Sequence, residues 1–133
     1  MAIRISSCVI ELIQRAAAEA APMEACGLLF GSEAVTQASV TANVAADPSR
    51  HFEVDPRALI AALRAERTGG ERVAGYWHSH PSGDARPSVT DATMAAGDGK
   101  LWLIAAGADV TLWRAVQAGA VHGRFDAVEI ATE

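Results

Sequence analysis

Two histidines and an aspartate stand close together in the run from His78 to Asp91, HSHPSGDARPSVTD. His78 and His80 are two residues apart, and Asp91 follows in the same run. In a strand, side chains at i and i+2 lie on one face, so both imidazoles would point to the same place. Two imidazole nitrogens and a carboxylate oxygen, without a thiolate, are ligands of catalytic zinc sites that leave a fourth position for water. The run therefore indicates a metal site suited to hydrolysis.

The same run also has an ordinary structural interpretation. A single His-x-His pair in a strand is often incidental. Ser88, with Asp91 three residues later, resembles a helix N-terminal cap followed by an acidic residue in the first turn. Spacing alone leaves the metal site and the structural interpretation open.

The elements predicted around the run would bring these side chains together. Residues 73–80 are typical of a strand, 81–87 of a loop, and 88–96 of a short helix. The histidine pair would then lie at the carboxyl end of a strand, where sites in α/β proteins are common. Asp91 would lie in the first turn of the following helix. Trp77, one residue before His78, should face the opposite side, towards the core.

Strands and helices are interspersed along the rest of the chain. Residues 8–20 have apolar side chains at helical spacing after Ser7 as N-cap, and a second helix starts at Asp55-Pro56 with Leu59, Ile60 and Leu63 facing inward. Further strands are predicted at 3–6, 26–30, 35–44, briefly around Phe52 and Val54, at 101–105, at 110–116 and within 121–130. This pattern predicts one α/β domain over residues 1–133, with helices packed on a mixed sheet.

Composition excludes several other classes of protein. Half of the 133 residues are hydrophobic, which is enough for a compact core. The net charge is −5 and Lys100 is the single lysine, so we expect no nucleic-acid partner and no binding to an anionic membrane. Cys8 and Cys26 form no paired framework, and two free thiols suit the cytoplasm.

The motif His-Ser-His, seven residues, Ser, two residues, Asp resembles the JAMM motif of the MPN-type metalloproteases. The upstream run MEACGLLFG, residues 23–31, is similar to the glutamate-bearing segment of that family. The resemblance implies the MPN/JAMM fold, a mixed sheet flanked by helices that is related to the cytidine deaminases. It also implies a zinc ion with His78, His80 and Asp91 as ligands.

The same resemblance implies two further roles, with Glu24 as general base and Ser88 as a stabiliser of the tetrahedral intermediate. Glu24 rests on the resemblance alone, because several other glutamates were equally available from the chain itself. If the assignment is right, the fold must bring Glu24 within reach of the metal-binding run.

Similarity to the compact, stand-alone prokaryotic JAMM proteins implies a substrate class. We expect a zinc-dependent isopeptidase or peptidase that cuts after the C-terminal Gly-Gly of a ubiquitin-like or sulfur-carrier protein. The alternatives are a non-enzymatic MPN interaction module, or a RadC-like or phage-tail-type JAMM protein with another substrate. A deaminase is disfavoured, since the chain has no Pro-Cys-x-x-Cys segment. The sequence does not decide between a monomer and a homodimer.

Overall fold

The computed structural model describes residues 2–133, which form eight strands and three helices. The helices are α1 (Ser7–Ala20), α2 (Pro56–Arg67) and α3 (Val89–Met94). The strands are β1 (Ala2–Ile5), β2 (Cys26–Phe30), β3 (Ala34–Val35), β4 (Gln37–Thr41), β5 (Val73–Ser79), β6 (Leu101–Ala106), β7 (Asp109–Gly119) and β8 (Gly123–Thr132). None of these helices is long and apolar enough to cross a membrane.

All eight strands belong to one sheet, in the order β3-β1-β8-β7-β6-β5-β2-β4. The central strand β5 is parallel to β6 and antiparallel to β2, so the sheet is mixed. Strands β3 and β4 stand at opposite ends of this order although only Thr36 separates them in the chain. The sheet must therefore curve until its two ends approach each other. The predicted mixed sheet with helices is confirmed.

Alternating side chains on the strands build two cores, one on each face of the sheet. Trp77 is fully buried on the face covered by α1, where it packs with Ile5 and Ile13. His78 points to the other face, where its ring stacks on Phe52 and meets the edge of Trp102. The predicted opposition of Trp77 and His78 is confirmed, and it turns the histidine away from the α1 core.

The region between β2 and α2 differs from the prediction. The single strand expected over 35–44 is broken at Thr36, because its first part pairs with β1 and its second part with β2. The brief strand expected around Phe52 is an isolated bridge between Asn43 and Val54. Residues 43–54 therefore form a loop, which we call the 43–54 loop.

Two details of the helices also differ from the sequence-based prediction. The N-cap of α1 is Ser6, not Ser7, and its hydroxyl accepts a hydrogen bond from the Cys8 N–H. Helix α2 begins as expected, with Asp55 as N-cap and Pro56 in the first turn. However, Ile60 is 50% exposed, and no residue of α2 is fully buried. Leu59 and Ala62 are the α2 residues that pack against the core that contains Phe52.

Candidate metal centre

Three side-chain atoms from the predicted run converge at the carboxyl end of β5. The Nε2 atoms of His78 and His80 are 2.9 Å apart, and Asp91 Oδ2 lies 3.1 Å from the first and 3.2 Å from the second. His80 is the first residue after β5, so the strand ends one residue earlier than expected. Asp91 comes from the first turn of α3, as the spacing predicted.

This convergence fits a metal ion. Ligand atoms on a tetrahedral zinc, with bonds of about 2.0–2.2 Å, lie roughly 3.3–3.6 Å apart, close to the separations seen here. His80 Nδ1 is 2.7 Å from the Asp84 carbonyl oxygen, which can only accept, so Nδ1 carries the proton. In the neutral ring, the lone pair of Nε2 is then directed at the convergence point.

His78 is held differently from His80. Its Nδ1 is buried and has no hydrogen-bond partner within residues 2–133. The ring is instead fixed by stacking on Phe52, with centroids 4.1 Å apart and planes inclined by 14°. Burial lowers the pKa of His78, which favours the neutral imidazole that binds a metal.

Asp91 is both part of this centre and part of a helix cap. Its Oδ2 accepts a hydrogen bond of 2.9 Å from the Ser88 N–H, and its own N–H donates to Ser88 Oγ, also at 2.9 Å. Burial by itself would raise the pKa of Asp91, but the bonds to His78 and His80 outweigh it and hold the pKa well below its usual range. Asp91 can therefore serve as a ligand while it also completes the helix cap with Ser88.

Glu24 lies beside the histidines although it is distant in sequence. One of its carboxylate oxygens is within 4.8 Å of ligand nitrogens of both His78 and His80. The carboxylate is buried, and its Oε1 has no hydrogen-bond partner within residues 2–133. Burial raises the pKa of Glu24 to about 7, although the nearby His80 opposes this shift.

Two carboxylates thus border the histidine pair, and their environments differ. Asp91 touches both imidazoles and stays ionised, as a ligand should. Glu24 stands farther away, unpartnered, with a pKa near neutrality. When neighbouring carboxyl groups have pKa values pushed apart, the one shifted towards neutral pH is suited to transfer protons. The arrangement favours Asp91 as ligand and Glu24 as base.

The backbone around Glu24 is tied to two other parts of the fold. The Glu24 N–H donates to the Pro48 carbonyl at 2.8 Å, and the Asn43 side-chain amide donates to the Glu24 carbonyl at 2.9 Å. The Ala25 N–H donates to Ser79 Oγ, also at 2.8 Å. The 43–54 loop and the end of β5 therefore fix this segment from two sides.

A cavity of about 290 Å³ opens the centre to solvent, with Glu24, His80 and Ser88 among its lining residues. The Glu24 carboxylate, one imidazole and the Ser88 hydroxyl are thus reachable from one side. Arg50 and Arg86 line the same cavity. The remaining lining residues are Ser49, Pro81, Ser82, Asp84 and Pro87.

The polar residues buried in this protein are concentrated here. Within residues 2–133, the buried polar or charged residues are Glu24, His78, Ser79, His80 and Asp91. Buried ionisable groups are unfavourable unless paired or bound to a metal, so their collection in one place indicates a functional site.

Several residues that contribute to this site were not identified from the sequence. Asn43, Phe52 and Ser79 contact the Glu24 segment or a histidine ring, and each lacks a local pattern that predicts such a contact. The remaining histidines lie outside the convergence. His122, in the turn between β7 and β8, contacts the Pro87 carbonyl at 3.0 Å.

Comparison with known proteins finds a matching family model and similar solved structures. A family model described as prokaryotic homologs of the JAB domain matches residues 6–118. The solution structure of a protein from Desulfitobacterium hafniense aligns with a TM-score of 0.82 and 28% identity, over 98% of this chain and 92% of that chain.

Two curated proteins are similar over shorter regions. A desampylase from Haloferax volcanii is 40% identical over 86 residues, which cover 62% of each chain. A probable TtuB-protein conjugate cleaving protease from Thermus thermophilus is 38% identical over 71 residues, or 53% of this chain and 48% of the relative. The matched region thus spans only about half to 62% of the length of these relatives.

Proposed function

Because the chain belongs to the family of prokaryotic homologs of the JAB domain, we propose that it is a zinc-dependent isopeptidase or peptidase. Its proposed substrate is an amide bond after the C-terminal Gly-Gly of a ubiquitin-like or sulfur-carrier protein. The observation that carries the proposal is the convergence of His78, His80 and Asp91 beside the buried, unpartnered carboxylate of Glu24. The names of the two curated relatives support cleavage of protein conjugates.

His78, His80 and Asp91 would hold the zinc ion. When bound, zinc supplies Lewis-acid polarisation of a carbonyl and lowers the pKa of water towards roughly 7. The protein's own residues complete the chemistry. Glu24 lies close enough to the histidines to take a proton from a water molecule that enters from the cavity.

In the proposed reaction, the water oxygen bonds to the amide carbon while Glu24 accepts one of the water protons. The carbonyl oxygen gains negative charge, and the Ser88 hydroxyl donates a hydrogen bond to it. The C–N bond then breaks, and Glu24 returns its proton to the departing amine. The products are a carboxylic acid and a free amine, and Glu24 ends as it began.

Ser88 has a structural bond as well as the proposed catalytic one. Its Oγ accepts from the Asp91 N–H, which leaves the hydroxyl proton free to donate. The Ser88→Ala variant should therefore keep one zinc per chain but lower kcat, by on the order of 10²-fold as for other oxyanion donors. It should also lose about 1 kcal/mol of stability with the cap. An unchanged kcat, with reduced thermal stability, would leave only the capping role.

A cleavage assay tests the function and the substrate class together. The substrate is a ubiquitin-like carrier whose C-terminal Gly-Gly is joined to a lysine side chain of a second protein. We expect zinc-loaded protein to release the carrier with a free Gly-Gly terminus, identified by mass spectrometry, and a chelator to stop the release. A matched substrate with Ala-Ala in place of Gly-Gly reports on specificity for the tail.

If zinc-loaded protein does not cleave the Gly-Gly conjugate, binding and other substrates distinguish the alternatives. If protein with one zinc per chain cleaves none of these conjugates but binds the carrier, the non-enzymatic interaction module is favoured. Chelator-sensitive cleavage of another peptide class would keep the hydrolase and overturn the substrate.

We also place this activity in the cytoplasm, as a single domain. The structure holds Cys8 exposed and Cys26 buried, both as free thiols, which suits a reducing compartment. Burial raises the pKa of the Cys26 thiol, so this cysteine is an unreactive core residue.

Assembly as a homodimer stays a prediction, to be tested by light scattering of the purified protein.

A further inference from the structure

The position of the Glu24 carboxylate is set by its backbone and not by bonds of its own. Oε1 is buried and unpartnered within residues 2–133, as a group that must accept and release a proton should be. The segment that carries it has to be fixed instead. Of the four hydrogen bonds that fix it, two come from the 43–54 loop and two are made with Ser79.

Ser79 lies between the two histidines of the proposed metal site. It is the last residue of β5 and is almost fully buried. Its N–H donates to the Ala25 carbonyl at 3.0 Å, and its Oγ accepts from the Ala25 N–H at 2.8 Å. Any residue except proline could make the first bond, but the second needs a side-chain oxygen at this position.

This pair of bonds links the base to the ligands by a short path. Ala25 follows Glu24 directly, and Ser79 is covalently joined to both His78 and His80. Because side chains alternate along a strand, the Ser79 hydroxyl points away from the histidine face and towards the Glu24 segment. The distance between the carboxylate and the two imidazoles therefore depends on the Ser79–Ala25 contact.

We propose that Ser79 is a positioning residue for catalysis, which holds Glu24 in register with the metal ligands through the Ala25 amide. This inference rests on the proposed function, and it adds a requirement for a hydroxyl between the two histidines. In the Ser79→Ala variant the Ala25 N–H would be buried without a partner, and the Glu24 segment would shift or loosen. A displacement of about 1 Å can lower a catalytic rate roughly 10²-fold.

The test compares three variants at the two ends of β5. Ser79→Ala should lower kcat roughly 10–100-fold, with KM within about two-fold and one zinc per chain retained. Ser79→Thr keeps the oxygen acceptor and should recover most of the rate. As a matched control, Glu66→Ala removes the side-chain acceptor of the Val73 N–H, a 2.8 Å bond at the opposite end of β5. This control should leave kcat unchanged.

A second measurement does not depend on activity. Amide hydrogen exchange, followed by NMR, should speed up at Ala25 in Ser79→Ala but not in Glu66→Ala. A wild-type kcat in folded Ser79→Ala would overturn the inference and leave the proposed function intact. A Ser79→Thr variant as slow as Ser79→Ala would have the same consequence. Absence of cleavage by zinc-loaded wild-type protein would overturn the proposed function itself.

Discussion

The Glu24→Gln variant is expected to bind one zinc ion per chain and to cleave its substrate roughly 10²–10⁴-fold more slowly than the wild type. Glutamine preserves the size of the side chain and its place in the buried site, but it cannot take up the proton. Burial raises the pKa of Glu24 to about 7, which suits a carboxylate that is proposed to exchange a proton at neutral pH. Initial rates with the Gly-Gly conjugate and zinc content per chain are the two measurements.

The control for this variant is Glu71→Gln, an exposed glutamate in the segment between α2 and β5. It makes the same chemical change far from the centre and should leave both measurements at wild-type values. Two results would contradict the assignment. Full activity of Glu24→Gln would remove Glu24 from the reaction. Loss of zinc from Glu24→Gln would make Glu24 a ligand, held by the carboxylate oxygen that lies within 4.8 Å of the histidine nitrogens.

The strands could be predicted from the sequence where local patterns determine them. The run CGLLF is short, apolar and followed by Gly31, and it forms β2 with the expected ends. The alternation over 35–44 has the period of a strand, but it carries no information about which partner each part pairs with. The break at Thr36 depends on β1 and β2, which lie elsewhere in the chain. Pairing is a tertiary property, and the break was therefore missed.

The residues of the candidate site also fall into two groups, those predictable from local sequence and those placed by long-range pairing. His78, His80 and Asp91 are close in sequence, so a strand, a loop and a helix start were enough to predict their convergence. Glu24 reaches them only because β2 pairs with β5, which sets Cys26 opposite His78. No spacing rule expresses that pairing, and resemblance to a family supplied it instead. Asn43 and Phe52 lie on a loop whose path is fixed by long-range contacts, and they were missed for that reason.

His78→Ala and His80→Ala are expected to lose the zinc ion itself, and with it all measurable turnover. Each substitution leaves one imidazole and one carboxylate, too few ligands for a stable site. Zinc content should fall from one per chain to near zero after dialysis. The metal-free proteins should differ from each other. His78 is fully buried against Phe52, so its loss opens a cavity and destabilises the fold by about 2–4 kcal/mol. His80 lies closer to the open cavity, and its loss should be milder.

Thermal unfolding separates loss of metal from loss of fold. A ligand that binds only the native state stabilises it, by about 2.7 kcal/mol at a free concentration of 100 times Kd. Adding zinc should therefore raise the Tm of the wild type but not of either variant.

His122→Asn is the matched control, because asparagine tolerates the positive φ of 53° at that position. It removes a histidine outside the convergence and should keep the zinc-dependent rise. A similar rise in His80→Ala, with zinc still at one per chain, would exclude His80 as a ligand. The ion would then have to be held by His78, Asp91 and Glu24.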